Sequence, residues 1–283
     1  MNIETPVAAR TRQAPLVAVI GHPNAGKTSL FNALSGARQK VGNYPGVTVE
    51  RKSAELPLPS GARIELLDLP GCYSLVPRSL DEQVTRDTLL GLQPGESRPD
   101  ALLIVTDATN LAAHLRFALD ALRLGIPAVM ALNRMDMAAR DGIAIDSAAL
   151  AARLGIPVIE TVAVRKRGLA DLLAALESRL KLPAAEPLPF TPADTRALGR
   201  EARTVARDVT LSEGSVRLAS RRLDAVLLHP VAGPVILAAI LFLMFQAVFS
   251  WAEAPMGWIE SVIAWAQGLV GTALPDSVFR SFL

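Results

Sequence analysis

Residues 16–34 read LVAVIGHPNAGKTSLFNAL: five apolar residues, a loop bracketed by glycines, and a stretch with helical spacing. From Gly21 to Thr28 the loop fits G-x-x-x-x-G-K-[ST], and it lies directly between a strand-like run and a helix-like run, the context that gives the pattern meaning. Gly21 and Gly26 let the backbone curl through His22, Pro23, Asn24 and Ala25, so that successive N–H groups converge on an anion. The helix opening at Lys27, Thr28 and Ser29 adds the partial positive charge of its N-terminus. Lys27 is placed to reach the outer phosphates of a nucleotide and the Thr28 hydroxyl to bind Mg²⁺. Such a loop sits at the carboxyl end of a buried strand, which restricts the chain to an α/β fold.

The rest of the first 182 residues meets that restriction. Short apolar runs at 15–21, 63–69, 101–107, 127–133 and 157–161 are bounded by Gly, Pro or Asp and read as buried strands. Helix-length segments such as 110–124 and 168–181 separate them, which predicts a mostly parallel sheet covered on both faces. Residues 1–14 lack an apolar core and read as a flexible leader rather than a signal peptide. Residues 15–182 form the phosphate-binding domain, and the proline-rich stretch 183–194 reads as a linker. Residues 195–228, rich in Arg, Ala and Leu, read as a small helical unit split by a turn at 211–215.

From Ala225 to Ala252 no Asp, Glu, Lys or Arg occurs, and Val231–Val248 carries one polar side chain, Gln246. About 20 apolar residues are needed to cross ~30 Å of hydrocarbon, so a membrane-spanning helix is expected over 229–252. Arg217, Arg221 and Arg222 precede that run and the next Lys or Arg is Arg280, a bias that puts the N-terminal part in the cytoplasm. Residues 253–283, with Trp258 and Trp265 among apolar neighbours, read as an interfacial tail. Lys and Arg (29) nearly balance Asp and Glu (27), which argues against a nucleic-acid partner. The single cysteine, Cys72, rules out an internal disulfide or a cysteine-cluster metal site.

Three further stretches complete the pattern of a nucleotide switch. Asp68-Leu69-Pro70-Gly71 ends a strand, so Asp68 can hold Mg²⁺ through water while Gly71 offers its N–H to a γ-phosphate. Gly46-Val47-Thr48-Val49-Glu50 supplies Thr48, whose hydroxyl completes the Mg²⁺ shell only when a γ-phosphate is present. Asn133-Arg134-Met135-Asp136 ends another strand, where Asn133 and Asp136 can read a guanine edge, with Val162-Ala163-Val164 as the second wall of that site. In this order the four stretches point to a GTPase that binds GTP and GDP.

These residues, and above all VGNYPGVTVERK (41–52), resemble the ferrous iron transport protein B family; DLPGCYSL (68–75) and LDAVLLHPVAGP (223–234) extend the likeness. The resemblance implies a cytoplasmic GTPase joined through a helical, GDP-release-modulating domain to an Fe²⁺ permease in the inner membrane. Only the first span of that permease would lie here, so the chain reads as a fragment or truncated product, with the remaining permease segments as partners. Small accessory iron-transport proteins and self-association are compatible with that reading. The resemblance also implies a potassium ion near the phosphates, held by Asn24 and by backbone carbonyls of the 36–48 loop. Cys72 stands where many switch GTPases carry a water-orienting glutamine, so intrinsic turnover is expected to be slow. Arg134 replaces the usual lysine, and Ala163 cannot supply the hydroxyl of the usual Ser-Ala pair, which weakens the expected base discrimination. The competing readings are a soluble GTPase acting on RNA or ribosomes, and a binding module in which the GTP state alone gates a partner.

Overall fold

Strand β1 (Leu16–Gly21) is buried along its whole length and lies in the middle of a seven-stranded sheet. In the computed structural model, the structure describes residues 14–36, 39–45, 47–182, 191–192, 194–212, 223–248 and 253–273. β1 pairs in parallel with β4 (Arg63–Asp68) on one side and β5 (Ala101–Asp107) on the other. β6 (Ala128–Asn133) and β8 (Val158–Glu160) continue the parallel half. At the other edge β3 (Glu50–Pro57) runs antiparallel to β4, and β2 (Gln39–Asn43) runs antiparallel to β3. The sheet is therefore mostly parallel, with two antiparallel strands at one edge.

Parallel pairing brings the carboxyl ends of five strands to one side of the sheet. Asp68 pairs with Val19, Gly21 with Val105, and Asp107 with Asn133, so the stretches that follow β4, β1 and β6 leave the same side of the sheet, each two residues further along the register than the last. Side chains alternate across the sheet, as the two-residue strand period requires. Leu16, Ala18 and Ile20 enter one core layer, and Val17 and Val19 enter the other. α1 (Lys27–Ser35) and α6 (Leu169–Leu180) cover the Val17 face through Leu30, Phe31, Leu172 and Leu176. α2 (Leu80–Leu90), α3 (Leu111–Leu122) and α5 (Ser147–Leu154) cover the opposite face. α4 (Met135–Arg140) is a short helix leaving β6.

The helix α7 (Thr195–Val209) starts at Asp194, whose carboxylate accepts the Arg196 N–H at 2.8 Å. Leu198, Ala202, Val205, Ala206 and Val209 form one apolar stripe, and all but Leu198 join the α3 side of the core. The chain then pairs β9 (Thr210–Ser212) with β7 (Ala144–Ile145) in a small second sheet. Residues 1–216 thus form one compact unit, and 217–283 form a second. The turn expected at 211–215 falls partly in β9, and its remainder, with Arg217, Arg221 and Arg222, lies outside the described residues.

In the second unit the expected 229–252 span is replaced by a shorter helix, Ala232–Gln246. Its first N–H groups are held by the His229 ring, whose Nδ1 accepts those of Val231 and Ala232, each at 3.2 Å. Regular α-helical bonding gives way to a π-type turn at 247–248, and 249–252 lie outside the described residues. Fifteen residues reach ~22 Å at ~1.5 Å each, short of ~30 Å of hydrocarbon. A further helix, Glu253–Ala273, carries Glu253 and Glu260 as well as exposed Trp258 and Trp265. Among the described residues no helix is long and apolar enough to cross a membrane.

Candidate nucleotide site

The loop from Gly21 to Gly26 bends through backbone angles that few side chains tolerate. Gly21 has φ 156° and Gly26 φ 88°, and Asn24 between them has φ 66°. A Cβ on Gly21 would run into the Val105 carbonyl of β5, so close strand packing requires glycine there. Ala25 N–H bonds the His22 carbonyl at 3.2 Å and closes the turn from which α1 emerges. Lys27 is nearly buried at 9% exposure, and burial pulls its pKa below the usual lysine value while Asp68 and Cys72 act against that shift. Gly71 comes up against it: a Cβ there would stand 3.1 Å from Lys27 Nζ and from Pro23.

Lys27, Thr28, Thr48, Asp68 and Gly71 all line one cleft of about 370 Å³. Asp68 carries the most telling atom in it. Its Oδ1 is buried without a hydrogen-bond partner, and burial raises the carboxyl pKa to about 6, with Lys27 and Lys52 opposing and Glu50 adding to the rise. A buried oxygen of this kind costs on the order of 1–3 kcal/mol unless something satisfies it. Among the described residues no group of three or more His, Cys, Asp or Glu could hold a metal. Two hydroxyls and one carboxylate nevertheless suit Mg²⁺, which takes few protein ligands and fills its shell with phosphate and water. The donor set fits the ion.

Gly46 lies outside the described residues, and the segment after it is anchored rather than loose. Tyr44 is buried, with its N–H bonded to the Val49 carbonyl at 3.0 Å and its carbonyl accepting Val47 N–H at 3.3 Å. Val49 joins the same core layer as Tyr44, while Thr48 and Glu50 remain exposed. Residues 39–43, five of the thirteen in the expected 36–48 loop, pair with β3 as a strand. Asn24 itself is exposed on the crest of the phosphate loop.

At the base end, Asn133 is buried and its carboxamide ties three segments together. Nδ2 donates to the Ala25 carbonyl at 3.2 Å, while Oδ1 accepts the Ala163 N–H at 3.1 Å and the Thr161 hydroxyl at 3.4 Å. Its place is thus a brace between the phosphate loop and the 161–164 turn. Arg134 adopts φ 62° and pairs with Asp107 at 2.7 Å. Met135 N–H reaches the Thr161 carbonyl at 3.4 Å. Asp136 accepts the Met137 N–H at 3.0 Å and stands 3.7 Å from Arg165, a residue no motif singles out. Val162 and Ala163 are buried behind Asn133, and Val164 is exposed.

Several supporting groups have no motif signal. Cys72 is fully buried, its N–H bonded to the Gly21 carbonyl at 3.2 Å, and burial pushes its thiol up to about 12, so it packs rather than reacts. Glu82 accepts N–H groups of Tyr73 and Arg78, and Asp120 accepts that of Leu75, so two buried carboxylates hold the loop after Gly71. The rings of His22 and His114, 92 positions apart in sequence, lie 4.6 Å apart at a tilt of 34°, and Tyr73 meets His22 edge-on at 4.4 Å. A second cleft, about 410 Å³, lies among α3, α5 and α7, but none of the motif residues lines it.

The sequence pattern of the family described as ferrous iron transport protein B matches residues 16–176, more than half of the chain. The chain belongs to the ferrous iron transport protein B family. It is 46% identical over 165 residues to the Fe(2+) transporter FeoB of Shigella flexneri, covering 57% of this chain and 21% of that one. The chain thus spans about a fifth of the length of this FeoB relative. Among solved structures, the cytosolic domain of L. pneumophila FeoB superposes with a TM-score of 0.55 at 41% identity, over 62% of this chain and 67% of that chain. The cytosolic domain of the T. maritima FeoB iron transporter in a GDP form superposes with a TM-score of 0.56 at 38% identity, over 62% and 67%. Their shared α/β fold places this chain as the N-terminal part of a FeoB protein.

Proposed function

We propose that this chain is the GTP-binding and GTP-hydrolysing switch of an Fe²⁺ transporter, on the cytoplasmic side of the membrane whose permease it controls. The observation that carries the proposal is the cleft in which Lys27, Thr28, Thr48 and Gly71 surround the unsatisfied Asp68 Oδ1. The T. maritima relative in its GDP form supports a guanine nucleotide as the ligand.

The backbone N–H groups of 21–28 and the Lys27 ammonium bind the phosphates, and Asp136 pairs with the N1–H and 2-amino group of guanine. Thr28, Thr48 and Asp68 would hold Mg²⁺, which supplies charge neutralisation for phosphoryl transfer. Asn24 would hold K⁺ beside the same phosphates. Gly71 N–H senses the γ-phosphate, and its place beside Lys27, where even a Cβ would crowd the ammonium, couples the 68–88 segment to the bound state. With Cys72 buried in the core, water is oriented by backbone near Gly71, which fits slow turnover. Tyr44 and Val49, packed in the α2 and α3 layer, offer a path from the 44–50 segment to α7. The permease segments, accessory proteins and any self-association belong to the longer protein.

Single-turnover hydrolysis of GTP by the full chain in detergent tests this. Turnover that needs Mg²⁺ and is lost in Lys27→Ala supports the proposal, and Mg²⁺-independent or Lys27-independent turnover contradicts it.

A further inference from the structure

Asp107 ends β5 at 5% exposure, and both of its carboxylate oxygens are engaged. Oδ1 accepts both the N–H and the hydroxyl of Thr109, at 2.8 and 2.7 Å. Oδ2 accepts Nη1 of Arg134 at 2.7 Å, and the Asp107 N–H points to His114 Nδ1 at 3.3 Å. The Thr109 bonds alone would serve a turn at the strand end, so the second oxygen does something more. Arg134 follows Asn133, the residue paired with Asp107 across the sheet, and its φ of 62° turns the side chain back toward β5. Its Nε lies 3.9 Å from where a Cβ on Gly26 would be, so the guanidinium crosses the phosphate loop between Gly26 and Asp107. An arginine side chain left alone samples many rotamers, whereas one pinned at a charge-assisted bond keeps its plane fixed.

We infer that Asp107 is a positioning residue of the base site: by holding Arg134 it fixes the guanidinium plane as a platform on which a purine ring stacks. This rests on the guanine-nucleotide reading above and divides selectivity between two residues. The Asp107–Arg134 pair sets purine over pyrimidine, because a stacking face is blind to ring substituents. Asp136 sets guanine over hypoxanthine, because only its carboxylate meets the 2-amino group.

The test is competition of GDP, IDP and UDP against a fluorescent GDP analogue on the full chain, for the parent, Asp107→Asn and Arg134→Ala. Asp107→Asn is expected to weaken GDP and IDP alike, by roughly tenfold, the scale of one charge-assisted contact. UDP changes less than about twofold, so GDP:UDP selectivity falls while GDP:IDP selectivity holds. Arg134→Ala, altered at the exposed end of the pair, gives the same pattern, and the double variant is no weaker than Arg134→Ala alone. Unchanged GDP:UDP selectivity in both single variants overturns the inference, as does an equal loss for all three nucleotides. A parent with no preference for GDP over UDP would instead sink the guanine reading itself.

Discussion

His114 makes the nucleotide-free protein sensitive to acid in a defined window. It is buried on α3 at 6% exposure, and burial is the main reason its pKa falls from 6.5 to about 4. His22, Arg134 and Lys27 push in the same direction, and Asp107 opposes them. An unfolded chain protonates this imidazole near 6.5 while the folded one stays neutral to about 4, so between those values the unfolded state holds the extra proton. Stability therefore declines as pH falls from 6.5 to about 4, at ~1.4 kcal/mol for each pH unit, or about 3 kcal/mol over the window. Above 6.5 this group adds no pH dependence. His114→Asn keeps an acceptor for the Asp107 N–H and removes the titration. Urea unfolding at pH 7.5, 6.0, 5.0 and 4.5 reads the result as the difference between parent and variant. The expected gap widens toward acid by about 3 kcal/mol, and parallel curves for the two proteins would refute the argument.

Further outcomes follow from the same geometry. Gly21→Ala sets a Cβ against the Val105 carbonyl, so it should abolish nucleotide binding or cost at least ~3 kcal/mol in the same urea assay. Asp68→Asn removes the charge that the Mg²⁺ reading requires, and a Mg²⁺ titration of GTP affinity should flatten by roughly tenfold or more. Asn24→Ala should bring single-turnover hydrolysis in K⁺ down to the rate in Na⁺, and an undiminished K⁺ effect would exclude Asn24 as the potassium ligand.

The sheet centre was legible because β1, β5 and β6 are buried along their whole length; with the partly buried β4 and β8 they appear in sequence as short apolar runs, and the phosphate loop follows the first of them. The antiparallel edge was not, because QKVGN and ERKSAELP alternate charged and small residues and carry no buried run. α7 was legible from its stripe, but not its docking on α3, which depends on partners elsewhere in the chain. The apolar run 229–252 read as one span, since composition does not record the break at 228–231 or the end of regular α-helical bonding at Gln246. At the site, Lys27, Asp68 and Asp136 came from motifs. Asp107, His114, Arg165 and Glu82 came only from the fold, because single residues far apart in sequence carry no spacing signal until the sheet register brings them together.

The most direct measurement is displacement of a fluorescent GDP analogue from the full chain by GDP and, separately, by ADP. With Asp136 reading guanine, GDP should compete at least roughly a hundredfold better, about 2.7 kcal/mol. Near-equal competition by ADP would contradict a guanine-specific switch, and the site would then be that of a general nucleoside triphosphatase.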